Sequence, residues 1–157
     1  KLHHSAYRCK DTNQTKNFYV DFLEMKLSKA FIIESTKTNR KTKVLHSFYA
    51  LKDGSAIAFF EDPSTTFKFK KQRDFDLHIA FEVTLKDLNY FFDKGKKLGI
   101  ETRGISDHGF IKSIYFRDPN GYIIELTTQI EKRTSQSKKN LENVLKKWYE
   151  IKPKRVY

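Results

Sequence analysis

The stretch Ser113-Ile-Tyr-Phe-Arg-Asp-Pro-Asn-Gly-Tyr-Ile-Ile-Glu-Leu-Thr127 decides how this chain folds. At its centre Asp118-Pro119-Asn120-Gly121 signals a turn, because Pro presets φ at one central residue while Asn and Gly accept positive φ. Apolar runs on both sides make the stretch a hairpin. Side chains alternate along a strand, so Ser113, Tyr115 and Arg117 share one face, and Ile114 and Phe116 the other. After the turn, Ile123, Glu125 and Thr127 lie opposite Tyr122, Ile124 and Leu126. Glu125 therefore sits mid-strand between two large aliphatic residues, where a carboxylate is costly unless exposed, paired or bound to a metal. With the turn centred near Asn120, Tyr115 falls roughly opposite Glu125. The pair is either one wall of a site or part of a solvated face.

Upstream of the hairpin the chain reads as one pattern used twice. Leu2 to Cys9 is a strand, with His4, Ala6 and Arg8 on one face. Asp11 caps a helix, with Gln14 at the box position, and Phe18, Tyr19, Phe22, Leu23 and Met25 form its buried stripe. Strands follow at Leu27 to Glu34, Val44 to Leu51 and Ser55 to Glu61. A charged connector leads to a strand over Asp76 to Val83, with His78, Ala80 and Glu82 on one face and an apolar set on the other. Thr84 caps the next helix, Gly99 ends it, and Ile100 to Ile105, a turn at Ser106 to Gly109 and the opening hairpin complete a second β-α-β-β-β. Order and spacing predict an internal duplication. The expected organisation is a first module at 1–61, a connector at 62–75, a second module at 76–128 and a basic helical tail at 129–157. In the tail, Leu141, Val144, Leu145, Trp148 and Ile151 make an apolar stripe suited to packing on the body or on a partner subunit.

Lys and Arg number 31 against 19 acidic residues, a net charge of +12. The tail alone holds nine Lys/Arg and three Glu, the remaining excess is scattered, and no zinc-finger, helix-turn-helix or aromatic-rich RNA motif appears. No nucleic-acid partner is expected. No window approaches the roughly 18 apolar residues of a membrane span, and no signal peptide opens the sequence. Cys9 is the only cysteine. It excludes an internal disulfide and fits a reducing, cytoplasmic setting.

Superposing the halves by their order sets His4 and His78 in matching places, each followed two residues later by Ala, with Glu125 on the last strand. Two imidazoles and a carboxylate form a facial set that suits Fe(II) or Mn(II) and leaves coordination positions open. Across Leu2 to Thr128 the chain resembles the vicinal oxygen chelate superfamily of glyoxalases, ring-cleaving extradiol dioxygenases, fosfomycin-resistance transferases and bleomycin-resistance proteins. The motifs that carry the resemblance are Leu2-His-His-Ser-Ala-Tyr-Arg-Cys-Lys-Asp11 with Asn17-Phe-Tyr19, His78-Ile-Ala-Phe-Glu-Val83, and Asp118-Pro-Asn-Gly-Tyr-Ile-Ile-Glu125.

That resemblance implies an α+β fold of two paired βαβββ modules, a mixed sheet curled around a metal site, with a C-terminal helix added. It implies metal ligands at His4, His78 and Glu125 for one divalent ion per site: Fe(II) or Mn(II), with Ni(II), Zn(II) or Co(II) as alternatives. Ala58 occupies the place of a fourth ligand, so a four-ligand glyoxalase geometry is incomplete. Tyr115, ten residues before Glu125, and His108 look like the catalytic pair of the ring-cleaving branch, and a dioxygenase is the reading taken first. Its acid/base His falls on Ser55, for which His46 is a possible substitute. Arg8, His46, Ser55 and Ser113 are the candidate substrate-binding residues. The alternatives are a metal-dependent isomerase, lyase or transferase of glyoxalase or fosfomycin type, and a metal-free binder. A small-molecule substrate and a homodimer are expected, each site taking His4 from one subunit and His78 with Glu125 from the other.

Overall fold

In the computed structural model, residues 2–131 and 136–153 are described. The first module is β1 (His4–Cys9), α1 (Thr12–Lys16) running on into a wider π-type segment at Asn17–Phe22, β2 (Lys26–Ser35), β3 (Lys41–Ala50) and β4 (Ala56–Glu61). The second is β5 (His78–Glu82), α2 (Leu85–Lys97), β6 (Thr102–Asp107), β7 (Ile111–Arg117) and β8 (Ile123–Gln129), followed by α3 (Lys138–Ile151). Each module forms its own four-stranded sheet, in the orders β1-β4-β3-β2 and β5-β8-β7-β6. In both, the first strand runs parallel to the last and the remaining pairs are antiparallel. The two orders superpose element for element, as expected of a duplication.

Local chemistry sets the element ends. Asp11 Oδ1 accepts from the Gln14 backbone N–H at 2.8 Å, and Thr84 Oγ1 from that of Asp87 at 3.1 Å, so both helices start at their predicted caps. The β6–β7 turn is shifted from its predicted place at Ser106 to Gly109. Strand β6 runs two residues past its expected end at Ile105, through Asp107, whose carboxylate accepts from the Gly109 N–H at 2.8 Å and closes the turn.

One phase of each sheet packs on the helices. Cys9, Tyr49, Ile57 and Phe59 of the first sheet meet Phe18, Tyr19 and Phe22, and Ile114, Phe116, Ile124 and Leu126 of the second join the same core with Leu88 and Phe91. Phe22 stacks edge-on against Phe91 and Phe116, and Tyr7 lies against Tyr122, so both modules share this core. The opposite phase of each sheet, carrying His4 in one and Glu125 in the other, turns away from the helices.

The Asp118–Gly121 turn locks the modules together. Asp118 accepts from the backbone N–H groups of Asn120 and Tyr122, from the Asn120 amide, and from the Tyr19 hydroxyl of the first module at 3.0 Å. Asn120 Oδ1 accepts from the Lys10 N–H at 2.9 Å, and the Tyr122 hydroxyl donates to the Arg8 carbonyl at 3.0 Å. Gly121 has φ of +94°, and a Cβ there would meet the Lys70 and Lys71 nitrogens at under 3 Å. The connector is stitched to this turn by Lys70 N–H to Asn120 O and Gln72 N–H to Gly121 O.

Burial pushes the Asp118 carboxyl above the ordinary carboxylate range. The folded state then binds that proton more tightly than the unfolded state, so this group's contribution to stability declines as pH rises through the window. Asp118→Ala leaves four donors without their acceptor. It is expected to lower unfolding free energy by about 2–4 kcal/mol in urea titration at pH 7; a change within 0.5 kcal/mol would contradict this account of the turn.

The tail helix is capped by Ser137, which accepts from the Asn140 N–H at 3.2 Å; Thr134, in the predicted lead-in, lies outside the described residues. Of the two expected placements, on the body or on a partner subunit, the first is not seen: among the described residues α3 buries none within one chain, and Trp148 stays 53% exposed.

Candidate metal centre

The face of the second sheet turned away from the helices carries His78 on β5, Glu125 on β8, and Ser113 and Tyr115 on β7. Tyr115 registers directly with Glu125, and Ala80 with Glu125 from the other side. Glu125 is 5% exposed. Its Oε1 accepts from the Ser113 hydroxyl at 2.6 Å, and its Oε2 lies 3.1 Å from His78 Nε2. The other ring nitrogen, Nδ1, lies 2.7 Å from the Asp74 carbonyl. A carbonyl only accepts, so Nδ1 carries hydrogen, and in the neutral ring the Nε2 lone pair faces the carboxylate oxygen. Two acceptors that close call for a cation between or beside them, either a proton on the imidazole or a metal ion. An imidazole whose far N–H is fixed on a backbone carbonyl, beside a carboxylate fixed by a hydroxyl, is how proteins orient metal ligands. The donor set fits a divalent ion.

Among the described residues of one chain, no group of three His, Cys, Asp or Glu side chains is placed to hold a metal. His4 stands on the open face of the first sheet, its ring 5.2 Å from Phe48 and its Nδ1 2.7 Å from that of His3. Within one chain, then, His78 and Glu125 come together and His4 does not join them.

Tyr115 has its hydroxyl pushed above the ordinary phenol range by burial and by the Glu125 charge. Arg103 lies over its ring at 5.5 Å and is gripped by Asp74 through two bonds of 2.9 and 2.6 Å. That contact holds the Asp74 carboxyl below its ordinary range. Asp74 thereby orients His78 with its carbonyl and Arg103 with its carboxylate. Sequence reasoning missed both Asp74 and Arg103. Asp74 lies in an aperiodic connector, whereas Arg103 was recoverable from the β6–β7 register, which pairs it with Tyr115.

The remaining candidates divide. Ser113 is in the site. His108 is exposed in the β6–β7 turn, and among the described residues it makes no hydrogen bond or ring contact with Tyr115, Glu125 or His78. Arg8 shares the face of His4, but its guanidinium bonds the Asp62 and Thr65 carbonyls at 3.2 and 3.3 Å. Ser55 bonds Asp53 Oδ1 at 2.6 Å and lines a cleft of about 240 Å³ between the start of β1 and the β5 edge. His46 is buried on the His4 face within a cluster of phenylalanines. Ala58, in the fourth-ligand place, is fully buried beneath them.

Residues 1–126 match the family model described as Glyoxalase/Bleomycin resistance protein/Dioxygenase superfamily. Among curated proteins, Metallothiol transferase FosB from Shouchella clausii is 31% identical over 93 residues, a match covering 48% of this chain and 59% of that protein's length. Among solved structures, the glyoxylase/bleomycin resistance protein/dioxygenase domain from Frankia sp. EAN1pec superposes with a TM-score of 0.66 at 17% identity, covering 82% of this chain and 97% of that one. Fosfomycin resistance protein FosX from Listeria monocytogenes, complexed with Mn(II) and sulfate, superposes with a TM-score of 0.59 at 21% identity over 82% of this chain and 90% of that one. With two sheets in matching strand order, a His–Glu pair on one open face and a family model spanning both modules, the chain belongs to the Glyoxalase/Bleomycin resistance protein/Dioxygenase superfamily.

Proposed function

We propose that this protein is a metal-dependent enzyme that opens a small anionic, oxygen-rich substrate by adding a thiol or water, in the manner of the fosfomycin-resistance branch. The observation that carries the reading is His78 Nε2 held 3.1 Å from the buried Glu125 carboxylate, with each group fixed from behind. His4 of a second copy is the third donor in this reading. A divalent ion, with Mn(II) the first choice, supplies Lewis-acid polarisation of a substrate oxygen and a charge that offsets the substrate's own.

The chain's own residues supply the rest. Ser113 holds Glu125 in one orientation, and Asp74 holds His78. Tyr115 remains protonated at neutral pH and donates a hydrogen bond to a substrate oxygen beside Glu125. Arg103, over the Tyr115 ring, adds positive charge to that wall.

This reading replaces the ring-cleaving dioxygenase as the principal one. Tyr115 does face Glu125, but among the described residues His108, exposed in the outer turn, makes no hydrogen bond or ring contact with either. The named relatives favour addition to an epoxide over ring cleavage: FosB is called a metallothiol transferase, and a FosX variant is complexed with Mn(II) and 1S,2S-dihydroxypropylphosphonic acid, the diol that water addition would give. Fosfomycin, an epoxide bearing a phosphonate, is the substrate to try. Mn(II)-loaded protein is expected to convert it, with water or one of a panel of thiols, into a new species in ³¹P NMR, and chelation is expected to stop the conversion. No consumption under any of these conditions would overturn the reading, and O₂ uptake with catechols would restore the ring-cleaving one.

A further inference from the structure

The open face of the first sheet carries a titratable side chain to which the metal site gives no task. His46 on β3 is 6% exposed, yet it points away from the helix-packed core and into the face that bears His4. Register places it beside Phe60 on β4 and Phe31 on β2. The Phe60 ring lies flat on the imidazole, 3.7 Å between centroids and 10° between planes. Phe48 packs at 4.3 Å, and Phe31 meets the imidazole edge-on at 5.4 Å. Phe48 also touches the His4 ring at 5.2 Å, so the two histidines are separated by a single phenyl ring.

The orientation of His46 is fixed as well. Nδ1 lies 3.0 Å from the Phe59 carbonyl, which only accepts. In the neutral ring the hydrogen is therefore on Nδ1, and Nε2 keeps its lone pair. Among the described residues nothing bonds Nε2, and it is not among the side-chain atoms sealed from solvent without a partner. The side chain is thus an immobilised base with one free lone pair, walled by three phenylalanines and one ring away from a candidate metal ligand.

We propose that His46 is the proton acceptor of the reaction, an inference that rests on the function proposed above. The nucleophile, water or a thiol, forms a bond from its oxygen or sulfur to an epoxide carbon, and that carbon–oxygen bond breaks. The nucleophile's proton passes to Nε2 and is then returned to the oxygen released from the ring. Atoms and charge balance with no oxidant or reductant. Phe31, Phe48 and Phe60 wall the imidazole and give the substrate's carbon skeleton an apolar surface, while Nε2 stays open to an incoming nucleophile. The sheet bearing His4 thus brings the base, and the sheet bearing Glu125 brings the oxygen-binding wall.

Two measurements test this. In zinc-loaded wild-type protein, the imidazole ¹⁵N resonances are followed as fosfomycin is added, with inorganic phosphate as the comparison. His46 Nε2 is expected to shift with fosfomycin, and His78 with both. Shifts at His78 with none at His46 would overturn the assignment of His46 and leave the proposed function standing. No shift at either, together with no turnover by the wild type, would overturn the function and this inference with it.

In the second measurement, His46→Gln is expected to lower kcat about 100-fold or more, with KM changed less than about threefold and Mn(II) stoichiometry unchanged. Added imidazole is expected to restore part of the activity of His46→Ala, whose vacated slot beside Phe60 fits the free ring. A Gln variant retaining more than half of wild-type kcat would show that Nε2 takes no proton.

Discussion

Glu125→Gln is expected to abolish turnover and to weaken Mn(II) binding by about 100-fold or more while leaving the fold intact. Gln fills the same volume, and its carbonyl still accepts from Ser113, so the buried position keeps a partner. The negative charge facing His78 Nε2 is what disappears. Wild-type protein at 100 times the dissociation constant gains about 2.7 kcal/mol of stability from the ion, so its unfolding midpoint rises with added Mn(II). The midpoint of Glu125→Gln is expected to stay where the metal-free wild type has it. Ser113→Ala separates ligand from support: losing a group that only orients Glu125 is expected to cost about 10–100-fold in affinity. If calorimetric titration gave Glu125→Gln the wild-type affinity, the ion would not be at this pair.

The fold was legible because its signals are local. The Asp-Pro-Asn-Gly turn, two capped amphipathic helices and strand alternation sufficed to place two β-α-β-β-β units and to set Tyr115 opposite Glu125. The faces of the candidate donors His78 and Glu125 were legible for the same reason, since strand alternation assigns each side chain to a face. What sequence did not yield lies off the regular elements or depends on contacts between them. Asp74 orients His78 through a backbone carbonyl in an aperiodic connector, and a carbonyl leaves no mark in residue identity. His108 satisfied a spacing, but β6 runs two residues past Ile105 to Asp107, whose side chain closes the turn, and His108 lies exposed beyond it. Arg8 lay on the right face, yet its guanidinium is taken up by the Asp62 and Thr65 carbonyls, which only the folded connector brings near. His46 had the right residue type and an undecided strand phase. Its pairing with Phe60 settles that phase, because a one-residue change of register exchanges the two faces of a strand.

Mixing a His4→Ala chain with a Glu125→Ala chain is expected to regenerate activity that neither has alone. The side-by-side packing of the modules is the reason. Tyr19 to Asp118, Lys10 to Asn120, Lys94 to Glu24 and the Phe22 contacts fix the two helix layers against each other, and both open sheet faces turn away from that shared core. The thirteen-residue connector from Asp62 to Asp74, long enough to reach about 40 Å if extended, is instead tied to its own turn at Lys70 and Gln72. Rotating one module to bring His4 to Glu125 within a chain would break those bonds, whereas a two-fold partner laid across the open faces breaks none. Such a partner would also cover Phe31, which registers with His46 on the same face of β2 and is 40% exposed. In a heterodimer of the two variants, one site carries both substitutions and the other carries neither. Random reassortment of equal amounts therefore makes about a quarter of all sites whole. Turnover and tight Mn(II) binding are both expected to return to that level after the subunits are exchanged in dilute denaturant and refolded together. Mass spectrometry showing mixed dimers with neither property recovered would confine each site to one chain, and the third ligand would then have to be sought elsewhere than His4.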